Sequence, residues 1–194
     1  MIAIERFVEI RKRFGHFASW AVWAEGQRNP KDGIGDLSIL DPQQNPDLLT
    51  TLHGRVIFLG LNISRPIERP LGNFHDLRPM GTDFKIRFAL SGTPYWGAYM
   101  TDIIKDFEEK ASGKMMKYLR ANPQFEKENV QKLREEIALL DVADPLLVAF
   151  GRDAGAIAKR NLGDQFWIRC VPHYATYCSK ENYRAQVIEL LAGI

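Results

Sequence analysis

Three short apolar runs constrain this chain more than any other feature: "RVIFLG" from Arg55, "DPLLVAFG" from Asp144 and "FWIRCVPH" from Phe166. Each is rich in β-branched or aromatic residues and is cut off by glycine or proline, so each reads as a buried strand. Helical spacing fills the gaps between them. Val130, Leu133, Ile137 and Leu140 recur at three and four residues, "RDAGAIAKRNL" follows the second run directly, and "SKENYRAQVIELLA" follows the third with Ser179 as its N-cap. Strands alternating with helices predict right-handed crossovers and a mostly parallel sheet covered on both faces. The expected fold is therefore α/β, a three-layer α/β/α sandwich around about four strands. In such sheets ligands collect beyond the carboxyl ends of the strands. Asn62, Gly151 and His173 all fall at or just past such an end.

The remaining segments are less decisive. Ile4, Phe7, Val8, Ile10, Phe14, Phe17 and Val22 fit one helix from Ile4 to about Trp23, with Trp20 and Trp23 at i,i+3 for packing on the sheet. "GQRNPKDGIGD" then breaks that element. Residues 1–28 are thus expected to decorate a single domain covering 1–194. "AYMTDIIKDF" fits strand or helix. Residues 62 to about 93 form a long Gly-, Pro- and Arg-rich stretch, and its embedded aromatics favour an ordered, functional loop.

Composition narrows the function classes. The 194 residues are 45% hydrophobic and 26% charged, as in an ordinary globular protein. A formal charge of +2 permits a nucleic-acid partner without arguing for one. No apolar run approaches the roughly 20 residues needed to span a bilayer. "MIAIERFVEIRKRF" holds no signal-peptide core, so a cytoplasmic setting and no membrane partner are expected. Cys170 and Cys178 are too few for an all-cysteine zinc site. A mixed site with His173 is conceivable, but free thiols are the preferred reading, with no metal and no cofactor.

Three motifs occur in an order that resembles the uracil-DNA glycosylase superfamily. An apolar strand ends in Gly60-Leu61-Asn62; "LLVAFGRDAGAIA" joins a strand to a glycine-containing helix start; and "VPHYATYCS" places His173 after the last strand. Phe74 follows Asn62 at about the spacing of the family's base-stacking phenylalanine, and "YMTDIIKD" resembles its base-reading segment. The resemblance covers roughly Arg55 to Leu191. It implies hydrolysis of the N-glycosidic bond of a nucleobase, one flipped from DNA or damaged or mismatched there. Asn62 would orient water and His173 would stabilise the leaving base. Gly60, Leu61, Phe74, Asp102 and Tyr174 would hold the base. Ser64, Arg65, Arg69, Gly151, Arg152 and Lys180 would meet nucleic acid, with Arg87 and the amides of "SGT" and "GRD" as further phosphate contacts.

The chain also departs from the family pattern. Ile63-Ser64 follow Asn62 where relatives commonly carry Pro-Gly or Pro-Ser, and His173-Tyr174-Ala175 replaces the usual His-Pro-Ser. Asp102 stands where several relatives carry asparagine. An ionised carboxylate only accepts hydrogen bonds, so it would repel uracil O4 and suit an edge bearing two donors, as in guanine or a protonated base. Asp102 can instead be a helix cap or a second water-activating carboxylate. Plain structural roles compete at every position: Asn62 as a turn cap, His173 as a strand-end residue, Phe74 as a loop plug, His75 as a loop residue. Two other functions stay open, a base-binding module without catalysis and an enzyme on free nucleosides or nucleotides. "GRDAG" lacks the G-x-G-x-x-G and Walker-lysine patterns of a nucleotide fold.

Overall fold

The structure is a computed structural model and describes residues 1–26, 29–105 and 107–192. Gln27 and Arg28 of the first break, Asp106 of "AYMTDIIKDF", and Gly193 and Ile194 lie outside the described residues. The elements in order are α1 (Ile4–Phe14), β1 (Ala18–Trp20), α2 (Leu48–Thr51), β2 (His53–Asn62), α3 (Phe84–Leu90), β3 (Ala98–Ile104), α4 (Ser112–Ala121), α5 (Pro123–Leu139), β4 (Leu146–Phe150), α6 (Arg152–Leu162), β5 (Ile168–Val171) and α7 (Lys180–Leu191). The five strands lie in the order β1-β3-β2-β4-β5, parallel except for β1.

Alternation along the strands divides the core into two layers, because successive strand side chains point to opposite faces. Ile57, Leu59, Tyr99, Ile103, Leu147 and Ala149 meet Phe7 and Ile10 of α1, Leu133 of α5 and Ile157 of α6 on one face. Phe58, Met100, Val148 and Phe150 meet Ile86 and Leu90 of α3 and Tyr183 and Val187 of α7 on the other. The α/β/α sandwich read from the sequence is therefore the fold. Ser179 caps α7 as expected, its side chain accepting from the Asn182 N–H at 3.1 Å.

The N-terminal reading needs correction. Helix α1 stops at Phe14 rather than Trp23. Ala18, Ser19 and Trp20 then pair antiparallel with Thr101, Met100 and Tyr99, adding a fifth strand. Pairing and burial outweigh the helical spacing here: Trp20 packs edge-on against Tyr99, centroids 4.7 Å apart, and buried Ser19 donates its Oγ–H to the Leu71 carbonyl at 2.8 Å. Trp20 and Trp23 do not share a helix face, and this segment is an edge of the sheet instead of an appendage to it. "AYMTDIIKDF" resolves into strand β3, buried over all seven of its residues.

Chain direction then creates a crevice. The connection leaving β2 runs toward β3, while the one leaving β4 runs toward β5 on the other side. Neighbouring strands whose connections diverge leave a gap at their carboxyl ends, where this class of sheet binds ligands.

Candidate active site at the carboxyl edge of the sheet

That gap is a cavity of about 970 Å³, within the range of small-molecule sites. Gly60, Leu61, Asn62, Ser64, Arg65, Phe74, Asp102, Gly151, Arg152, His173 and Tyr174 all line it. Segments more than a hundred residues apart thus converge on one hollow. Two positions considered for nucleic acid do not. Arg69 donates to the Gly35 carbonyl at 3.0 Å beside a separate, smaller groove, and Lys180 pairs with Glu181 and lies over the Phe88 ring at 4.1 Å. Arg87 likewise staples the N-terminal loop, donating to the carbonyls of Ala24, Pro30 and Asp32. "SGT" sits before β3, at the amino end of the strands and away from the cavity.

Asn62 closes β2, half-buried. Its Nδ2 donates to the carbonyls of Ile63 at 2.8 Å, Glu109 at 2.9 Å and Phe107 at 3.2 Å. Three acceptors around one end fix the orientation of the amide, because Oδ1 in that place would face only oxygens. The carbonyl oxygen Oδ1 is left as the free end of a side chain that lines the cavity. Far from simply capping its own turn, Asn62 ties the loop after β2 to the loop after β3.

His173 lies two residues past β5. Its Nδ1 accepts the Ala175 N–H at 3.1 Å, which requires Nδ1 to be unprotonated and places the ring proton on Nε2. Burial holds its pKa below the ordinary histidine value of 6.5, so the neutral Nε2–H form predominates at neutral pH. Tyr174 stacks on the imidazole at 4.3 Å with planes 23° apart. The turn from β4 into α6 comes close to this loop through Gly151, whose φ of 87° favours glycine; a Cβ there would stand 3.2 Å from that of His173.

The inner wall is aromatic. Phe74 is buried, and its ring meets Phe150 at 6.2 Å and Tyr174 at 6.3 Å. Its backbone takes the left-handed φ of 62°, held by the Trp23 indole N–H bonded to its carbonyl at 3.0 Å and by Asn73 Oδ1 accepting its N–H at 3.1 Å. Neighbouring His75 is a structural residue: its ring Nδ1 bonds the Ile34 carbonyl and burial lowers its pKa to about 4.

At the floor, Gly60 faces Asp102 across the β2–β3 pairing. A Cβ on Gly60 would stand 2.0 Å from Asp102 Oδ1 and 3.3 Å from the Phe74 ring, so only glycine admits the carboxyl. Asp102 sits on the strand β3, so it caps no helix. Its Oδ2 accepts from Asn73 Nδ2 at 2.7 Å. It is 3% exposed, and burial pushes its pKa up to about 7. A second carboxyl in the same wall, Asp83, is 6% exposed and also raised by burial to about 7; its Oδ2 accepts the Asp76 N–H at 2.8 Å. Asp76 behaves oppositely. Burial pushes it up, but the Arg78 hydrogen bonds and the nearby Arg65 outweigh this and hold it below the usual carboxylate range.

Asn73 and Asp83 were not singled out from the sequence. Asn73 stands beside Phe74 in "GNFHD", so adjacency was a usable signal; Asp83 in "GTDFK" carries none, because only folding buries it. Cys170 and Cys178 are free thiols, and no group of three or more His, Cys, Asp or Glu side chains is arranged to hold a metal among the described residues. No described helix is long and apolar enough to cross a membrane. No protein-family model matches the chain, and no curated protein matches it.

Proposed function

We propose that this protein hydrolyses the N-glycosidic bond of a nucleobase held in the cavity, with a base in DNA as the substrate. The observation that carries the reading is the pairing of Asn62 and His173 on one hollow. Each lines the cavity and has one end locked by backbone groups, which leaves an acceptor Oδ1 and a donor Nε2–H uncommitted. Water bonded to Oδ1 attacks the anomeric carbon as the carbon–nitrogen bond breaks. The bond's electron pair leaves with the base, the water's hydroxyl stays on the sugar, and its proton ends on the base or in solvent. Asn62 orients the water but is too weak a base to deprotonate it. The Nε2–H of His173 meets charge developing on a base oxygen. Phe74 supplies a face for the ring, offsetting part of the few kcal/mol lost on unstacking. Arg152 and Lys110 at the rim supply positive charge for phosphates. The order of the three motifs, similar to that of the uracil-DNA glycosylase superfamily, supports the same reading.

The test incubates the protein in excess with single- and double-stranded oligonucleotides carrying uracil, hypoxanthine, xanthine, guanine, N7-methylguanine or a mismatch. Abasic product that disappears with Asn62→Ala supports hydrolysis; no abasic product from any of them overturns it. A second reading, binding without cleavage, draws on Tyr174, whose ring packs against Phe74, Phe150 and His173 and narrows the inner end of the cavity. It requires retained base affinity, no product, and indifference to Asn62→Ala.

A further inference from the structure

We propose that the cavity selects a base whose reading edge carries two adjacent hydrogen-bond donors, a ring N–H beside an exocyclic amino group as in guanine, and disfavours carbonyl-flanked bases such as uracil. This rests on the base-binding reading above and names its substrate class. Asp102 sets the preference. Asn73 Nδ2, itself anchored to the Phe17 carbonyl at 2.7 Å, bonds Oδ2 and fixes the carboxyl plane; a carboxylate oxygen has two lone pairs, so Oδ2 keeps a second acceptor position. Oδ1 lies against Gly60 and beside the Phe74 ring, and no described residue donates to it. A planar ring lying against Phe74 therefore meets the Asp102 carboxyl at its edge.

A carboxylate presents acceptors alone. The ring N–H and amino group of guanine match it with two parallel bonds, the pairing that gives acidic side chains and amidine-type edges their specificity. Uracil and xanthine flank the ring N–H with carbonyl oxygens on both sides, so one of them would face a carboxylate oxygen; hypoxanthine has a C–H where guanine has its amino group and forms one bond fewer. Asp83 reinforces the preference, because it brings a second poorly solvated carboxyl to the same wall without a cationic partner of its own. Arg78 and Arg65 are committed to Asp76. An N7-alkylated guanine suits the site further: its positive charge is welcome beside two acidic groups. It also leaves readily as a neutral base, which matches a water held by an amide rather than activated by a strong base.

Protonation sets the sense of the selection. The groups facing Asp102 are Asn73 from the loop before α3, Lys105 just past the end of its own strand, Glu136 from α5 and Asp83 from the N-terminus of α3; together with burial they leave its pKa at about 7. Above that pH the carboxylate reads two donors. Below it the acid carries one donor and one acceptor, as an asparagine amide does, and the preference fades.

The experiment measures calorimetric affinity for 9-methylguanine and 1-methyluracil, both blocked at the glycosidic nitrogen, at pH 6 and pH 8. The expected result is at least tenfold tighter binding of 9-methylguanine at pH 8. That margin shrinks at pH 6 and is lost or reversed in Asp102→Asn. Asp83→Asn, which leaves Asp102 in place, is expected to reduce the margin about twofold to threefold, and it keeps the test alive if Asp102→Asn fails to fold. Equal affinity, or preference for 1-methyluracil in the unaltered protein, overturns the inference while excision of any oligonucleotide base leaves the proposed hydrolysis standing. A guanine preference untouched by both substitutions overturns the assignment to these carboxyls. Binding of neither probe, with no abasic product, overturns both readings.

Discussion

Strand β3 buries acidic chemistry on both of its faces, and the two faces treat it differently. Toward α5, Glu136 is 0% exposed and forms an ion pair with Lys105, 1% exposed, while the Tyr99 hydroxyl donates to Glu136 at 2.5 Å. The same Lys105 ammonium donates to Thr101 Oγ1 at 2.9 Å and the Asp102 carbonyl at 2.8 Å, with the Phe14 and Phe17 rings about it. Toward the cavity, Asp102 has a single amide donor and no ion pair. Both carboxyls are buried, but among the described residues only Glu136 is held in an ion pair. A charge whose neighbours satisfy it holds the scaffold together. A carboxyl denied that satisfaction keeps free capacity to be spent on something that enters from outside.

This contrast can be broken by substitution. The largest effect is expected on the satisfied face: Lys105→Met leaves Glu136 buried without its partner and should cost ~3–5 kcal/mol, read from urea unfolding. A cost under ~1 kcal/mol would mean that Glu136 takes up a proton and the pair is not needed. On the open face, Asn62→Ala should lower the excision rate ~100-fold, equivalent to ~2.7 kcal/mol of transition-state stabilisation, with the fold retained by circular dichroism. Gly60→Ala drives a methyl into Asp102 Oδ1 and should destabilise by ~1–3 kcal/mol, with base affinity falling alongside.

The two buried carboxyls of the open face also set how stability depends on pH. The folded pKa values of Asp102 and Asp83, about 7, lie above the ordinary 3.8. Between those values the folded state binds more protons than the unfolded one. Stability should therefore fall as pH rises from about 4 to about 7, by up to ~1.4 kcal/mol per pH unit for each carboxyl, and level off above. Asp102→Asn should remove one carboxyl's share of that slope, seen as a smaller difference between urea midpoints at pH 5 and pH 8. An unchanged difference would mean that Asp102 is not held neutral by its surroundings.

The same contrast explains what could be read in advance. Buried parallel strands announce themselves, because "RVIFLG" and "LLVAFG" need continuous apolar runs to be covered on both sides. Their carboxyl ends followed, and with them Asn62, Gly151 and His173. Edge strand β1 was hidden, since three residues carry too few alternations to compete with the helical spacing of Phe14, Phe17 and Val22. Asp83 and Asn73 were hidden for another reason. Their significance comes from burial and from partners 7 and 29 residues away, Asp76 and Asp102, which no local pattern encodes. Arg69 and Lys180 misled because an arginine or lysine close in sequence to a candidate site residue reads the same whether it faces the cavity or a neighbouring carbonyl.

The bond from the Ala175 N–H to His173 Nδ1 makes the loop itself part of the imidazole's acid–base equilibrium. A second proton on the ring has nowhere to go except the position that this amide occupies, so acidification must unfasten the turn before it can charge the side chain. Loss of activity in acid and faster deuterium uptake at the Ala175 amide should then share one midpoint, two readouts of a single mechanical event.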